Sequence, residues 1–399
     1  MRVVITGLAF RTPLGCTIEE AMANIESGTR RIARVENIDL VTEGFNGAGE
    51  VRHRGKVIKS DHTIDRKIQF FEESLKELES STSLHSRYSP NDIVLNIGSG
   101  IDYIDIEAIF KERESVFKEK RGEKVFFKSF EQISNIALKS PILGGINLFT
   151  AACVASTQAI GSSYRMIKEG YRKAAITGGS DSMVNHINYR GFQDLGAMTP
   201  PSNPPFACRP FDKERNGTAL GEGALLMLLE ESSQANPNSI LGEIAGYGTT
   251  MDSYAITDPD PSAIPLSKAI KKALAEAQIT PQKIDAVHLH GTGTAKNAPA
   301  EYRALQIVFG ERVSTLPVFA LKGQIGHLIG SCGAVEMLAV IHSLQNQVTL
   351  PTVNFTTPDP EAPLFVVREK PLKMKIEYIL KVNASFGGEN SALVIKKYS

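Results

Sequence analysis

The feature that most constrains the fold is an alternation of short apolar runs with longer amphipathic stretches. The runs RVVITG, DIVLNIG, KAAITGG, GALLMLLE, GEIAGYG, DAVHLHG, PVFALKG and NSALVIK read as strands. Between them lie stretches with helical periodicity, among them IDRKIQFFEESLKELES, STQAIGSSYRMIKEG and PLSKAIKKALAEAQ. This alternation is typical of α/β proteins with mainly parallel strands.

One polar segment, ESSQANPNSI from Glu231 to Ile240, interrupts the pattern and carries an Asn-Pro pair. Such a composition is typical of a linker. It predicts two parts, residues 1–235 and 236–399, each of which ends in an apolar strand. Each part also has a strand that enters a bend and a helix of small residues, which suggests two related halves.

The charge balance excludes some classes of partner. The 44 basic and 44 acidic side chains cancel, so no overall charge favours nucleic acid or an anionic membrane surface. The first residues, MRVVITGLAFRTPLG, lack the apolar core of a signal peptide, and no apolar run reaches the length of a spanning helix. The four cysteines show no CxxC spacing and read as reduced thiols. We therefore expect a cytoplasmic protein that binds neither nucleic acid nor membrane.

Cys153 lies where an apolar strand meets a helix of small residues, in NLFTAACVASTQAIG. A cysteine at a helix N-terminus faces the positive end of the helix dipole and unpaired backbone N–H groups. These groups lower a thiol pKa from about 8.5 into the range of about 3.5–7.5, which would make Cys153 a nucleophile. The alternative is a buried structural cysteine, since free cysteines are among the most buried residues.

Histidines follow two other predicted strands. His288 and His290, in VHLHGTGTAKNAPAE, are two residues apart and would share a strand face, which would suit a metal site. Alternatively, one of them is an acid–base or hydrogen-bonding group and the loop holds a substrate. His327 lies in ALKGQIGHLIGSCGAVE, where a structural role is the alternative. Because open α/β sheets place their sites at the carboxyl ends of strands, Cys153, His290 and His327 are expected to converge.

The Gly-Gly turn of SFGGEN, Ser385 to Asn390, precedes the last predicted strand. Adjacent glycines allow a backbone to approach a ligand closely. A backbone N–H in this turn could complete an oxyanion hole with the N–H of Cys153. The alternative is an ordinary tight turn.

Several blocks, in order along the chain, resemble the β-ketoacyl-[acyl-carrier-protein] synthases, the elongating (type II) branch of the thiolase-like condensing enzymes. The blocks are RVVITGLAFRTPLG, TAACVASTQAIG, TGGSDSM, RPFDKERNGTALGEGA, HGTGTAKNAPAE, LKGQIGHLIGSCGAVE and SFGGEN. The resemblance covers most of the chain. It implies a thiolase-like α/β fold of two similar halves, each with a five-stranded mixed sheet, in a layered α-β-α-β-α arrangement. The nucleophile would come from the first half and the histidines from the second.

The resemblance also implies catalytic roles. Cys153 matches the acyl-accepting nucleophile, and His290 and His327 match the catalytic histidine pair. Lys322 would organise the second of these histidines. Glu336 matches the buried structural partner of that network.

Further positions match substrate contacts of the family. Thr292 and Thr294 match the residues that hydrogen-bond the pantetheine arm. Ile101 and Phe192 match positions that border the acyl tunnel. Phe386 resembles the gating aromatic residue whose N–H joins that of the nucleophile in the oxyanion hole.

The implied reaction is a decarboxylative Claisen condensation in fatty-acid or polyketide-type biosynthesis. An acyl thioester on Cys153 would react with malonyl-acyl-carrier-protein to give β-ketoacyl-acyl-carrier-protein and CO2. No metal or redox cofactor is required, because the 4′-phosphopantetheine belongs to the carrier protein. A homodimer is expected, or alternatively a heterodimer with a homologue. The acidic carrier protein predicts a basic patch near the tunnel mouth, for which YRMIKEGYRK is a candidate.

The sequence departs from the family pattern in three places. Ala298 stands where the family usually has an Asp that helps to structure the loop after the first histidine. Ala384 replaces one of two aromatic residues at the gate, which could admit a bulkier acyl chain. Residues 101–140 match weakly, so the length and shape of the acyl chain cannot be carried over.

Three other functions are alternatives. A non-catalytic partner subunit of the chain-length-factor type typically lacks the nucleophile, whereas Cys153 is present. A metal-dependent hydrolase could use His288, His290 and His327, but the sequence offers no convincing carboxylate ligand. A degradative thiolase would need a second cysteine in the C-terminal Gly-rich turn, and SFGGEN has none.

Overall fold

The computed structural model describes residues 1–37, 47–59, 65–100, 140–142, 144–200 and 203–399. The strands are β1 (Val3–Arg11), β2 (Ile32–Arg34), β3 (Gly47–Gly49), β4 (Arg52–His53), β5 (Lys56–Val57), β6 (Ile93–Ser99), β7 (Ile146–Thr150), β8 (Ala174–Ser182), β9 (Leu220–Glu231), β10 (Gly242–Met251), β11 (Ala286–His288), β12 (Pro317–Phe319), β13 (Val348–Thr349), β14 (Phe365–Val366), β15 (Leu372–Lys373), β16 (Tyr378–Ala384) and β17 (Glu389–Lys396). The helices are α1 (Ile18–Glu26), α2 (Arg66–Thr82), α3 (Leu84–Arg87), α4 (Ala155–Lys168), α5 (His186–Asp194), α6 (Ile264–Glu276), α7 (Asn297–Phe309), α8 (Lys322–Ile325), α9 (Cys332–Val335) and α10 (Met337–Asn346).

The main sheet runs through both parts of the chain. Its strand order is β14-β12-β11-β16-β17-β10-β1-β9-β8-β6-β7, with β3 joined to β9 and β2 to β3. Five mixed strands of the first part, β7-β6-β8-β9-β1, occupy one end, and β10-β17-β16-β11-β12 with β14 occupy the other. The two ends join where β1 and β10 pair antiparallel, with Val3 opposite Ile244. The two predicted five-stranded sheets are therefore ends of one hydrogen-bonded sheet.

The side chains of β6 show how helices cover both faces of the sheet. Ile93 and Leu95 pack in a cluster with Phe71 of α2. Val94, which points to the opposite face, packs in a cluster with Ile160 of α4. Successive residues of a strand point to opposite faces of the sheet, so α2 and α4 cover the two faces at this end.

The other end of the sheet is covered in the same way. Val287 of β11 packs in a cluster with Ile270 of α6. Ala286, its neighbour, packs with Ile341 of α10 in the same cluster that contains residues of α4. Helices α4 and α10 therefore fill the layer between the two ends of the sheet, and the predicted α-β-α-β-α layering is present.

The predicted strands and helices all appear, and the structure adds further elements, among them β16, which the sequence pattern did not predict. The polar segment 231–240 connects β9 to β10 and contains one turn of 3-10 helix, Pro237–Ser239. Ile101 and most of residues 101–140 lie outside the described residues. Within the described ranges, no helix combines the length and the apolar character needed to cross a membrane.

Candidate active site

Cys153 lies in a turn of 3-10 helix, Ala152–Val154, which connects β7 to α4. Ala152 adopts a positive φ of 44°, so the chain turns sharply just before the cysteine. The start of α4 also rests directly on β6, because Gly98 has no side chain to separate that strand from the backbone of Ser156. A sharp turn and a glycine contact thus fix the position of Cys153.

The surroundings of Cys153 raise its pKa rather than lowering it. Burial raises the pKa of the thiol to about 12, although the charge of Lys322 and the backbone N–H of Phe386 oppose this effect. The prediction that the helix N-terminus lowers this pKa is therefore wrong. Burial of the side chain, which the sequence does not reveal, is the largest cause of the shift. The thiol is protonated at neutral pH and has to lose its proton as it attacks.

The backbone of His327 is tied to the first part of the chain. Its N–H donates to the carbonyl of Ala219 at 2.7 Å, and its carbonyl accepts from the N–H of Gly221 at 2.9 Å. Gly326, at φ 77°, makes the bend that allows this pairing. The loop after β12 therefore attaches to β9, and His327 is carried towards the side of the sheet that holds Cys153.

The backbone of His290 is held by a buried carboxylate of α7. Glu301 accepts the N–H of His290 at 2.6 Å and that of Gly291 at 3.0 Å. In the same loop, Asn297 accepts the N–H of Thr292 at 3.2 Å. Ala298, the position of the usual Asp, is buried in the same helix. The loop therefore has anchors on both sides of Ala298.

The three residues predicted to converge do so. One ligand-type atom each of Cys153, His290 and His327 lie within 4.8 Å of one another, and all three side chains are buried. The two imidazole rings meet edge to face, with 5.1 Å between their centroids. His288 points elsewhere and packs edge-on against Phe319, as expected for a core residue. Burial lowers the pKa of His288 to about 3.

Hydrogen bonds fix the tautomer of both site histidines. The N–H of Ile329 donates to Nδ1 of His327 at 3.2 Å. Nδ1 of His290 faces two donors, Lys322 Nζ at 3.3 Å and Asn383 Nδ2 at 3.2 Å. A ring nitrogen that accepts a hydrogen bond carries no proton in the neutral imidazole, so each ring carries its proton on Nε2.

Both rings are uncharged. Burial lowers the pKa of His327 well below its ordinary value, and the charge of Lys322 adds to the effect. Burial also lowers the pKa of His290, with further contributions from Lys322 and His327. The site therefore offers two neutral imidazoles, each with an Nε2–H group to donate.

A buried ion cluster supports His290. Glu336 accepts from Lys322 through one oxygen and from Lys381 through the other, the latter at 3.0 Å. Burial opposes ionisation of Glu336, but the charges of Lys322 and Lys381 hold its pKa well below the usual range. The predicted role of Glu336 as a buried partner of this network agrees with these contacts.

Lys322 contacts the first histidine of the pair. In addition to its contact with the ring, its Nζ donates to the carbonyl of His290 at 2.6 Å. The sequence prediction named the second histidine, whereas Lys322 forms hydrogen bonds with the first and only its charge acts on His327. Lys322 begins α8, directly after the strand next to β11, which brings its side chain under the end of β11. The short separation of Lys322 and His327 along the chain did not indicate that Lys322 contacts His290.

The cluster of Cys153, His290 and His327 has the residue types of a zinc site, and its atoms are close enough to consider one. A histidine that binds a metal through one nitrogen donates the N–H of the other to an acceptor. Here Nδ1 of both rings faces donors instead, which leaves the proton on Nε2. The hydrogen bonds therefore favour donation to a substrate over coordination of a metal.

These residues open into a cleft of about 610 Å³, counting the part open to solvent. Its lining includes Cys153, Phe192, Ala197, Thr218, Asp252, Thr257, Pro259, His290, Thr292, Thr294, Asn297, His327, Ile329, Ala384, Ser385 and Phe386. The two threonines predicted to contact pantetheine share a hydrogen bond of 2.8 Å between their hydroxyls. Phe192 and Phe386 both reach the cleft, and Ala384 forms part of its wall.

Comparison with known families decides what kind of site this is. Residues 1–235 match the model of the beta-ketoacyl synthase N-terminal domain, and residues 241–356 match that of the C-terminal domain. The chain belongs to the β-ketoacyl synthase family. The resemblance found in the sequence is thus confirmed.

Full-length relatives of this β-ketoacyl synthase carry a consistent name. The 3-oxoacyl-[acyl-carrier-protein] synthase 2 of Staphylococcus aureus (strain MRSA252) is 31% identical over 100% of this chain and 99% of its own length. The protein of the same name from Synechocystis sp. is 29% identical over 100% of this chain and 98% of its own length.

Solved structures confirm the fold class. A beta-ketoacyl synthase from Burkholderia phymatum has a TM-score of 0.86 at 28% identity, and the alignment covers 100% of both chains. A chain of the AntDE:AntF complex, a type II PKS acyl-carrier protein with its ketosynthase, has a TM-score of 0.88 at 24% identity. That alignment covers 100% of this chain and 99% of the other.

The sequence interpretation of this β-ketoacyl synthase missed Glu301, Lys381 and Asn383. Lys381 and Asn383 are two apart in YILKVNA, so they share one face of β16. Two polar residues on one face of an otherwise apolar strand, just before the Gly-Gly turn, could have indicated that both belong to the site. Glu301 is the first carboxylate after the HGTGT loop in the sequence, but its contact with that loop depends on how α7 folds back.

The segment named as a candidate for the basic patch does not line the cleft of this synthase. In YRMIKEGYRK, Arg165 and Lys168 pair with Glu276, and Lys173 pairs with Asp92. These side chains lie on or after α4, and none is among the residues that line the cleft. The segment is therefore a set of local ion pairs.

Proposed function

We propose that this β-ketoacyl synthase condenses an acyl group on Cys153 with malonyl-acyl-carrier-protein and releases CO2. The observation that carries the proposal is the placement of two neutral imidazoles beside the thiol. Cys153, His290 and His327 lie within 4.8 Å, and both rings have donors at Nδ1. A nucleophile next to two Nε2–H donors suits acyl transfer followed by formation of an enolate.

In the first step, the sulfur of Cys153 attacks the carbonyl carbon of an acyl thioester on the carrier protein. A new C–S bond forms, and the bond to the pantetheine sulfur breaks. The proton of the Cys153 thiol is balanced by the proton that the released pantetheine thiol takes up. The N–H groups of Cys153 and Phe386 stabilise the oxyanion, and Phe386 already directs its N–H at the thiol.

In the second step, malonyl thioester replaces the released carrier. Its C–C bond to the carboxylate breaks, CO2 leaves, and the electron pair forms an enolate. The Nε2–H groups of His290 and His327 donate to the enolate oxygen. One such donor contributes about 2.7–4 kcal/mol in comparable sites. The enolate carbon attacks the acyl-cysteine, and the Cys153 sulfur leaves and takes up a proton.

The partner of this reaction is an acyl carrier protein that brings the substrates on its 4′-phosphopantetheine. The names of the relatives support this partner. Thr292 and Thr294 would hydrogen-bond the arm, and Phe192 would border the acyl chain, since all three line the cleft. No metal or redox cofactor takes part. The proposal includes a cytoplasmic location and chain extension of the fatty-acid or polyketide type.

The proposal also includes a division of the chain into two functional halves and the assembly of two copies into a homodimer. Residues 1–235 would supply the nucleophile and residues 236–399 the histidines. Among the described strands, β7 ends the sheet, and Leu148 on it is 42% exposed. A second copy that covers this edge would bury Leu148 close to Cys153. Light scattering of the eluting protein tests this, with a dimer expected for the native chain and a monomer for Leu148→Glu.

Intact-protein mass spectrometry tests the reaction itself. The protein is incubated with acyl-carrier-protein thioesters of several chain lengths. We expect an acyl adduct on the native protein and on Cys16→Ala, a buried cysteine outside the cleft. Cys153→Ala should form none. A native protein that accepts no acyl group from any donor, or an adduct that persists in Cys153→Ala, would contradict the proposal.

A further inference from the structure

The polar pair of β16, Lys381 and Asn383, is wholly buried and has no part in the reaction as proposed. Both side chains contact Glu336, and Asn383 also faces the ring of His290. We propose that Lys381 and Asn383 are a positioning pair that holds the proton of His290 on Nε2. The chemical consequence of this role rests on the proposed function, whereas the placement of the proton does not.

Neighbouring hydrogen bonds fix the orientation of the Asn383 amide. Its Oδ1 accepts from Lys381 Nζ and from Thr157 Oγ1, the latter at 2.8 Å. Its Nδ2 donates to Glu336 Oε2 at 2.9 Å. A flipped amide would direct its oxygen at a carboxylate and its N–H groups at an amine that already donates. Lys381 and Glu336 together therefore select one orientation.

The orientation of the amide in turn determines which nitrogen of the His290 ring carries the proton. With the amide in this orientation, Nδ2 lies 3.2 Å from Nδ1 of His290 and can only donate to it. Lys322 Nζ approaches the same nitrogen at 3.3 Å. Two donors at Nδ1 exclude a proton there. The proton is thus on Nε2, the nitrogen left for the side of Cys153 and His327.

The substitution Asn383→Asp would reverse the contact between residue 383 and the ring of His290. In Asn383→Asp the side chain keeps its shape, but both oxygens can only accept hydrogen bonds. Lys381 would pair with the new carboxylate, and the cluster would contain two lysines and two carboxylates, so its charges balance. An acceptor at 3.2 Å would then favour a proton on Nδ1, against the one remaining donor, Lys322. This variant reverses the polarity of two contacts, those with His290 and with Glu336, without emptying space in the core.

Nitrogen NMR of the histidine side chains tests the proposal directly. In the native protein we expect Nδ1 of His290 to be unprotonated and Nε2 to carry the proton. In Asn383→Asp we expect Nδ1 to gain a proton. Asn96→Asp, a buried Asn on β6 that bonds Ser163 and Asn147, is the matched control and should leave His290 unchanged. A bare Nε2 in the native protein, or an unprotonated Nδ1 in Asn383→Asp, would overturn the proposal.

The separate rates of acylation and condensation distinguish a positioning role of Lys381 and Asn383 from a merely structural one. Acylation of Cys153 should stay within about twofold in Asn383→Asp, whereas condensation should fall by about tenfold or more, because one donor to the enolate is impaired. Lys381→Met, which frees the amide, should lower condensation by less than Asn383→Asp. Equal losses in acylation and condensation would indicate a structural defect and count against the pair. If the native protein condenses nothing but the NMR pattern holds, the proposed function fails and the positioning pair stands.

Discussion

Glu301 accepts the backbone N–H of His290 at 2.6 Å, so a carboxylate of α7 holds the chain at the site. The environment of this carboxylate gives it an unusual pKa. Burial raises the pKa of Glu301 to about 7, although the N–H groups of Gly291 and His290 oppose the shift. The anchor of the loop is therefore sensitive to pH near neutrality.

Glu301→Gln should destabilise the protein most at low pH. The amide has one acceptor where two backbone N–H groups need one each, and a lost buried hydrogen bond costs about 1–3 kcal/mol. The native carboxyl is protonated in the folded state below about pH 7 but ionises earlier in the unfolded state. Native stability therefore falls as pH rises through this window, by about 3 kcal/mol. The deficit of the variant should therefore shrink to near zero, or change sign, as pH rises through this window.

Urea unfolding at about pH 5 and about pH 7.5 measures this change. Glu311→Gln, a substitution of an exposed glutamate, serves as the control and should follow the native protein at both values. A deficit of Glu301→Gln that grows with pH would contradict the prediction.

Alkylation of Cys153 by iodoacetamide should be slow at neutral pH. The thiolate is the reactive form, and burial raises the pKa of this thiol to about 12. The rate should therefore rise by about tenfold for each pH unit between about pH 7 and about pH 10. Mass spectrometry follows the adduct, with Cys153→Ala as the background. A rate that levels off near about pH 8.5 would show an ordinary thiol instead.

The two catalytic histidines should affect condensation and acylation differently. His290→Ala or His327→Ala removes one Nε2–H donor, which in comparable sites lowers kcat by about 10²–10³-fold. Acylation of Cys153 by an acyl thioester should survive in both variants. Single-turnover assays of each step measure this difference, with His342→Ala, a histidine paired with Glu26, as the control. Loss of acylation in both variants would assign the histidines to the first step.

Gly98→Ala should misplace the nucleophile. A methyl group at this position would overlap the backbone of Ser156 at the start of α4. Such overpacking costs about 1–3 kcal/mol and shifts the backbone, so both the melting temperature and the acylation of Cys153 should fall. Gly191→Ala is the matched control, because its methyl group would meet no atom within 4 Å. Native-like acylation in Gly98→Ala would show that the turn tolerates displacement of the helix.

The strands and helices were predictable because their apolar pattern is local. Strand β9, for example, is an apolar run that is buried along nearly its whole length between β1 and β8. Strand β16 was missed because Lys381 and Asn383 interrupt its apolar run. Glu336, far away in the sequence, accepts hydrogen bonds from both residues and so compensates for their burial.

The residues of the site were predictable from the sequence blocks that resemble the family, whereas the contacts between these residues were not. Cys153, His290 and His327 converge as expected. The pKa of Cys153 rises instead of falling, because burial depends on how both parts of the chain pack around it. Lys322 contacts His290 because β11 and β12 are neighbouring parallel strands, a relation that distance along the chain does not encode.

The order of strands in the sheet has a consequence for biosynthesis on the ribosome. Strand β1 lies between β9 and β10, so one of its edges stays open until the chain has been made to Glu231 and the other until Ile244. Pairings between such distant segments are slow to form and expose unpaired edges meanwhile. His290 then waits for β16, which carries Asn383. The burial of Cys153 also depends on late residues, among them Cys332 and Phe386, so catalytic competence should arrive only with the last strands.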